Sequence, residues 1–385
     1  MRVLFVAHSF PRHRDDLPGS FLLRLAVALV ERGVAVHVVA PAAAGVAATE
    51  ELDGVTVERL RYAPRAWESI AYTGAMADAA ATWHGRAALV GLLAATARGV
   101  RRAARAHAAD VVHAHWWFPG GLAAAAPGVL GGRPLVLTLH GSDVRLARRV
   151  APARALFARV AARAAATTAV STWLCARARD MAPGLACELA PMPVDDRLLA
   201  PPPAGEPRCG LLFVGRLSRQ KGLDVLLRAL AQLPAGAALS VVGEGPDGPA
   251  LRELAASLGV AARVRWLGAL PQRALAPLYA RAAVVVVPSR EEGLGLVAVE
   301  AQLCGAPVVA ADSGGLPDLV RHDRTGLLVR PEEPAALCAA LRDLLQDPAR
   351  AARLGAAGRE AALTAFTPAG VAARYHALYV RVTAP

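Results

Sequence analysis

Lys221 is the only lysine among the 43 basic residues of this chain; every other one is arginine. It lies in the run Val214-Gly215-Arg216-Leu217-Ser218-Arg219-Gln220-Lys221-Gly222-Leu223, where an apolar strand pattern gives way to a short basic turn and then to a helical pattern. A compact ammonium on a flexible stem does a different job from a planar guanidinium fork. Placed with Arg216 on one strand-to-helix loop, it has the makings of a phosphate clamp. The competing reading is a surface lysine left by chance in an arginine-biased chain.

The second constellation is VVVVPSREEGLGLVAVEAQLCGAPVVAADSGG, where a four-valine strand ends at Pro288 and Gly293-Leu294-Gly295 opens a helix. Glu292 and Glu300 are eight positions apart, about 800° of helical rotation, so they stand two turns apart on roughly one side. Glu292 is at the loop end, within reach of a ligand. Glu300 is embedded among apolar residues, and a buried carboxylate needs a hydrogen-bond donor; it either serves a ligand or caps a neighbouring loop. The amides of Gly295, Leu296 and Val297, at the helix start, are suited to a phosphate. Charge–dipole contacts there contribute about 0.3–1 kcal/mol each, and charged hydrogen bonds from Arg216 and Lys221 about 1.5–3 kcal/mol each. Two cations and a helix terminus together match a diphosphate. A third loop, Val242-Gly243-Glu244-Gly245, offers small residues for close backbone approach to a ligand, or simply a tight turn.

The N-terminal half is rich in histidine. DVVHAHWWFPGG sets His113 and His115 at one strand end, and TLHGSDV sets His140, Ser142 and Asp143 at another. Such residues could ligate zinc in principle. They could equally line or support a cleft.

The elements that position these residues alternate strand and helix. RVLFVA, VAVHVVA, VTVERL, DVVHAH, PLVLTLH and TTAVS read as strands in the first half; GLLFVGR, ALSVVGEG, VRWLG, AAVVVVPS and APVVAAD in the second. Helices are expected at 222–233, 247–258, 272–281 and 294–304. This order implies parallel sheets covered on both faces. Six prolines within residues 191–207 mark a linker. Two doubly wound α/β domains follow, 1–195 and 196–367, with a closing helix at 368–385 expected to pack back on the first. Ligands of open α/β sheets bind beyond the carboxyl ends of the strands, so two such domains facing one another would gather their loops around a cleft.

Composition narrows the partners. A formal charge of +12 on 385 residues favours phosphorylated small molecules or anionic lipid. No nucleic-acid-binding signature accompanies that charge. Arg98, Arg101, Arg102 and Arg105 form one series; Arg145, Arg148, Arg149, Arg154, Arg159 and Arg163 form another, interleaved with Leu146, Val150, Leu156 and Phe157. Either series is an amphipathic membrane-docking surface or a solvated helix face. The five scattered cysteines are expected to be buried free thiols, with no structural zinc. MRVLFVAHSF turns polar too early for a signal peptide, and no transmembrane segment is expected. The chain is expected to be cytoplasmic, either free or peripheral on the inner face of the plasma membrane.

Four segments, in order and with their spacing, resemble the retaining glycosyltransferases of family 4, of the GT-B fold: VGRLSRQKGLDVLL, VVGEGP, PSREEGLGLVAVEAQLCGAPVVA and SGGLPDLVRHDRTGLLV. The resemblance implies that Arg216 and Lys221 bind the donor diphosphate, that Glu300 holds the ribose hydroxyls and that Glu292 contacts the donor sugar. It implies backbone contacts from Gly295, Leu296 and Val297, and a base lying against Leu267. Gly19, within Pro18-Gly19-Ser20, matches a glycine that lets the backbone approach donor or acceptor; relatives often carry two glycines where this chain has Gly19 and Ser20. His140 matches a histidine that faces the reacting sugar, with His113, His115 and Asp143 on the acceptor side. The expected reaction moves a sugar from a UDP- or GDP-linked donor to an acceptor hydroxyl, with no cofactor and no metal, since Arg216 and Lys221 supply the positive charge and no D-x-D motif ends a strand. Competing readings are an inverting GT-B transferase with His140 as base, a nucleotide-sugar epimerase, and a non-catalytic nucleotide-sugar-binding scaffold.

Overall fold

A computed structural model describes residues 1–72, 76–79, 81–203 and 206–384. The chain divides into two compact units: Met1–Pro193 with Pro368–Pro385, and Val194–Thr367.

Unit 1 is built on strands β1 (Arg2–Val6), β2 (Ala35–Pro41), β3 (Thr49–Leu52), β4 (Val55–Leu60), β5 (Val111–His115), β6 (Leu135–Leu139), β7 (Ala166–Ala169) and β8 (Cys187–Leu189). They form one sheet in the order β3-β4-β2-β1-β5-β6-β7-β8. All neighbours are parallel except β3 and β4. The central strands read as unbroken apolar runs because helices cover both faces; Val3, Leu4, Phe5 and Val6 are all essentially inaccessible. Helix Pro368–Thr383 belongs to this unit and packs against helix Ser20–Glu31 and the sheet, reaching from β5 and β6 to the end of β8. There the Tyr375 hydroxyl donates to the Ala190 carbonyl at 3.0 Å.

Unit 2 carries β9 (Cys209–Val214), β10 (Leu239–Val242), β11 (Val264–Trp266), β12 (Ala282–Val287), β13 (Val308–Ala311) and β14 (Leu327–Val329). Its sheet is parallel throughout, in the order β11-β10-β9-β12-β13-β14. Its helices include Leu223–Gln232, Gly248–Ser257, Gln272–Arg281 and Leu296–Leu303. Phe213, Leu226, Leu230, Val284 and Val286 are at the centre of its core.

Both sheets reverse direction once. In unit 2 the chain leaves β9 for β10 on one side and later returns to place β12 on the other. In unit 1, β1 stands in the same way between β2 and β5. Such a switch point sends two successive loops in opposite directions and leaves a crevice between them. It is where a site is expected in each unit.

Four of the five cysteines are buried as anticipated, but Cys209 at the start of β9 is exposed. Among the described residues, no helix is long and apolar enough to cross a membrane. The second arginine series mixes buried and exposed positions. Phe157 is fully buried in the core. Arg154 and Arg163 donate to the carbonyls of Asp180 and Ala125, both at 2.6 Å. Phe157 serves packing, whereas Val150 stays 43% exposed and Leu146 and Leu156 are half-buried.

Candidate donor and acceptor sites

The unit 2 switch point brings the loop after β9 against the loop after β12. Lys221 and Glu292, 71 residues apart in sequence, meet there: the ammonium donates to Glu292 Oε2 at 2.7 Å. Ser289 Oγ donates to the same oxygen at 3.1 Å. The lysine side chain keeps 25% of its exposure and the carboxylate 12%. The pair is therefore reachable from solvent and is not sealed.

A frame of further bonds fixes this meeting. Gln220 Nε2 donates to the Glu291 carbonyl at 2.7 Å, and the Arg290 amide to the Gln220 carbonyl at 2.8 Å. Arg290 grips both Asp224 oxygens at 2.8 and 2.7 Å and also pairs with Glu332. Bidentate geometry of this kind holds two elements in register. Burial alone would raise the Asp224 carboxyl, but the Arg290 bonds override it and hold it below its ordinary value.

Arg216 is exposed on the same loop, five positions before Lys221. Helix Leu296–Leu303 starts at Gly295 in the left-handed region (φ 97°) with no side-chain cap. Leu296 and Val297 are half-buried at that start. First-turn amides without a cap are open to an anion.

Glu300, 9% exposed, has the donors that burial demands. The Tyr279 hydroxyl donates to Oε2 at 2.7 Å and Gln272 Nε2 to Oε1 at 3.0 Å. Burial and the neighbouring Glu300 push the Tyr279 hydroxyl well above its ordinary value, so it stays a donor. Gln272 and Tyr279 were not singled out from sequence. Their signal was a polar pair seven residues apart, two turns along one helix and so on one face.

Gly243 has a different reason for being glycine. At φ 130°, a Cβ there would overlap the Gly215 carbonyl oxygen. Its amide donates to Gly268 at 2.7 Å. Close packing of the loops after β9 and β10 requires it, with or without a ligand. The Leu267 amide is committed to the Val241 carbonyl at 2.9 Å.

In unit 1, the histidines gather at the ends of β5 and β6. His115 Nδ1 is 3.2 Å from His140 Nε2. The His140 ring lies 4.4 Å from Trp116 and 5.3 Å from Phe21. Burial and nearby histidines push the His140 imidazole well below its ordinary value, so it is neutral at pH 7. His8, which follows β1, packs 4.3 Å from Trp116, and burial lowers it to about 4. Gly19 stands before helix Ser20–Glu31 at φ 76°, where a Cβ would overlap the Ser9 carbonyl oxygen.

Two of the acceptor-side residues are tied into the fold by their own hydrogen bonds. His113 is fully buried, with Nδ1 2.7 Å from the Tyr379 hydroxyl and Nε2 2.7 Å from Thr138 Oγ1. Both ring nitrogens are occupied, so it joins the sheet to the C-terminal helix. Asp143, 3% exposed, accepts the Gly141 amide at 2.9 Å, and the His140 and Trp117 amides at 3.2 Å each. It fixes the loops after β5 and β6 from beneath. Burial raises its carboxyl, opposed by those amides. Among the described residues, no three His, Cys, Asp or Glu side chains are placed to share a metal ion.

Comparison with known proteins gives the context. Residues 201–361 match the family model of glycosyl transferases group 1, and residues 19–197 that of glycosyltransferase family 4. A GDP-mannose-dependent alpha-(1-6)-phosphatidylinositol monomannoside mannosyltransferase of Mycolicibacterium smegmatis is 36% identical over 272 residues, 64% of this chain and 71% of that protein. A D-inositol 3-phosphate glycosyltransferase of Streptomyces avermitilis is 37% identical over 287 residues, and that match spans 66% of this chain and 61% of the relative's length. Among solved structures, sucrose-phosphate synthase of Thermosynechococcus elongatus superposes with a TM-score of 0.82 at 25% identity, covering 99% of this chain and 98% of that one. Anabaena HepE, solved with UDP and glucose, has the same fold at a TM-score of 0.78 and 22% identity, covering 99% and 100%. With its two Rossmann-like units of the GT-B class, the chain belongs to glycosyltransferase family 4.

Proposed function

We propose that this chain is a retaining glycosyltransferase that moves a sugar from a UDP- or GDP-linked donor to an acceptor hydroxyl without a metal ion. The observation that carries the reading is the Lys221–Glu292 pair, held at the β9/β12 switch point beside an uncapped helix start. One cation and one anion side by side match a substrate whose diphosphate and sugar hydroxyls are neighbours. In this reading Lys221, Arg216 and the amides at Gly295, Leu296 and Val297 stabilise the departing diphosphate. Glu292 binds the sugar and Glu300 the ribose hydroxyls. Unit 1 holds the acceptor, and His140 is the group it offers to the reacting sugar. The leaving phosphate oxygen takes the proton of the acceptor hydroxyl as the new glycosidic bond forms on the same face. Catalysis is then mostly positioning and electrostatic stabilisation.

The test begins with donors. A nucleotide diphosphate sugar that binds the folded protein raises its melting temperature, by about 2.7 kcal/mol of stability at a hundredfold excess over Kd. GDP-mannose is the first to try, given the mannosyltransferase relative, followed by UDP-linked sugars. With the stabilising donor, transfer in the presence of a chelator should give a product with the donor's anomeric configuration by NMR. An inverted anomer or a chelator-abolished reaction refutes the retaining, metal-independent reading. Stabilisation without turnover on any acceptor favours a binding scaffold.

The acceptor side of the proposal includes an anionic membrane surface. Helix Trp83–Ala106 exposes Trp83 (65%) and Val90 (68%), and the exposed Arg98, Arg101 and Arg105 continue along it. Tryptophan and arginine on one helix face fit the boundary between headgroup and acyl chain. Vesicles containing anionic lipid should float the protein at low salt and release it at high salt. Arg101→Ala/Arg105→Ala should weaken flotation several-fold. Salt-insensitive absence of binding refutes the membrane part alone.

A further inference from the structure

We propose that His115 is a positioning residue that sets the tautomer of His140, so that His140 offers an N–H donor, and not a lone pair, at its free ring nitrogen. The inference rests on the reading of His140 as the sugar-facing group.

His115 closes β5, and β6 runs beside it with Thr138 opposite His115 in register. His140 comes two residues later, on the loop. This register brings His115 Nδ1 to 3.2 Å from His140 Nε2. His140 Nδ1 has no partner among the described residues, and it is not among the buried orphan atoms. It is the ring nitrogen open to a ligand.

Burial keeps both imidazoles neutral near pH 7. Each neutral ring carries one proton, on one nitrogen or the other. Only two arrangements let the pair share a hydrogen bond. If His140 donates from Nε2, His115 must keep its own proton on Nε2. That atom is fully buried with no partner, behind the Phe5 ring at 4.7 Å and the His113 ring at 4.0 Å. The result is an orphaned N–H donor. If His115 donates from Nδ1, its Nε2 is left as a bare lone pair. Buried orphan N–H groups are rarer than under-satisfied acceptors, so the second arrangement is favoured. His140 Nε2 then accepts, and its proton is on Nδ1.

The chemical consequence separates two mechanisms. With N–H outward, His140 donates to an oxygen of the sugar or the acceptor. It cannot take a proton from an acceptor hydroxyl without first losing its own. A general-base role, which an inverting reaction would ask of it, is closed.

The test reads the tautomers directly. Long-range 1H–15N correlation of 15N-histidine-labelled protein at pH 7 assigns protonated and bare nitrogens, with His140→Gln and His115→Phe supplying assignments by lost signals. The expected wild-type pattern is His140 protonated at Nδ1 and bare at Nε2. In His115→Phe, His140 should move toward the Nε2–H form that free histidine prefers. His140 found as Nε2–H in the wild type, or unchanged in His115→Phe, overturns the proposal. In transfer assays, His115→Phe should lower kcat by 10- to 100-fold with both KM values within twofold. His115→Asn, whose side-chain amide can replace the Nδ1 donor, should recover most of that loss. Equal loss in both variants overturns the positioning role. Should His115→Phe fail to fold, the wild-type spectrum still decides. Should no donor be turned over, the spectrum tests His115 independently of the functional reading.

Discussion

Lys221→Ala is expected to lower kcat/KM for sugar transfer by about 10²–10³-fold, the usual cost of removing one preorganised donor from developing negative charge. That is about 2.7–4 kcal/mol at the barrier. The cost to the fold should be smaller. Glu292 loses its ammonium but keeps Ser289 Oγ at 3.1 Å, and leaving a buried polar group under-satisfied costs about 1–3 kcal/mol. Lys221→Arg restores charge but not shape. The lysine stem lies against Gly215, its Cδ and Cγ 3.7 Å from where a Cβ would stand. A planar fork in that space cannot place a single nitrogen against Glu292 Oε2 in the same way. Partial recovery, below a tenth of wild-type turnover, is the expected outcome. The measurement is kcat/KM beside the melting temperature for each variant. Near-wild-type transfer by Lys221→Ala ends the clamp idea. If the pair is only a structural bolt, Lys221→Met/Glu292→Gln should regain both stability and activity. A catalytic pair regains stability at most.

Much of this was readable in the sequence because the signals are local. The strand of unit 2 ending at Pro288 is a valine run, and its loop is marked by charge and glycine, so β12 and helix Leu296–Leu303 follow from patterning alone. The same holds for β1, β5, β6 and β9. The elements missed are β3, β8 and β14, of three or four residues each, all of them at sheet edges. Runs so short have no period to detect, and an edge strand buries one side only. The pairing of Lys221 with Glu292 was out of reach for another reason. Each residue was marked by its own loop, but their contact depends on β9 and β12 being neighbours, which strand order alone decides. The partners of His113 and Asp143 were out of reach at the same level. A histidine or aspartate at a strand end looks the same in sequence whether it faces solvent or the underside of a loop. Here Thr138 and Tyr379 claim the histidine, and backbone amides claim the aspartate. Phe157 shows the converse. Its spacing among arginines imitates an amphipathic surface, while packing makes it core.

The buried histidines also set how the protein responds to acid. Burial lowers His113 to about 3 and His8 and His37 to about 4, and drives His115 and His140 well below their ordinary value. In the unfolded chain each titrates near 6.5. Between about pH 6.5 and the folded values, the unfolded state therefore binds more protons than the native state. Stability must fall as pH falls through that window, by up to about 1.4 kcal/mol per pH unit for each histidine. His113, fully buried and lowered to about 3, alone accounts for about 2 kcal/mol lost between pH 8 and pH 5, and His115 acts in the same direction. That is a sizeable part of the 5–15 kcal/mol typical of a folded domain. Carboxylates act lower. Asp224, held down by Arg290, contributes stability that is present above its unfolded value near 4 and is lost only as pH falls through its lower folded value. The two windows are thus separable. Denaturant midpoints measured from pH 8 to pH 5 should decline steadily well before carboxylates titrate. His113→Asn should cut the slope by up to one proton, even as it costs stability at pH 8. All five histidines belong to unit 1, so hydrogen exchange at pH 5 should accelerate in β5 and β6 before it does in β9 and β12. A midpoint that stays flat to pH 5 would mean that these imidazoles reach water far more easily than their packing allows.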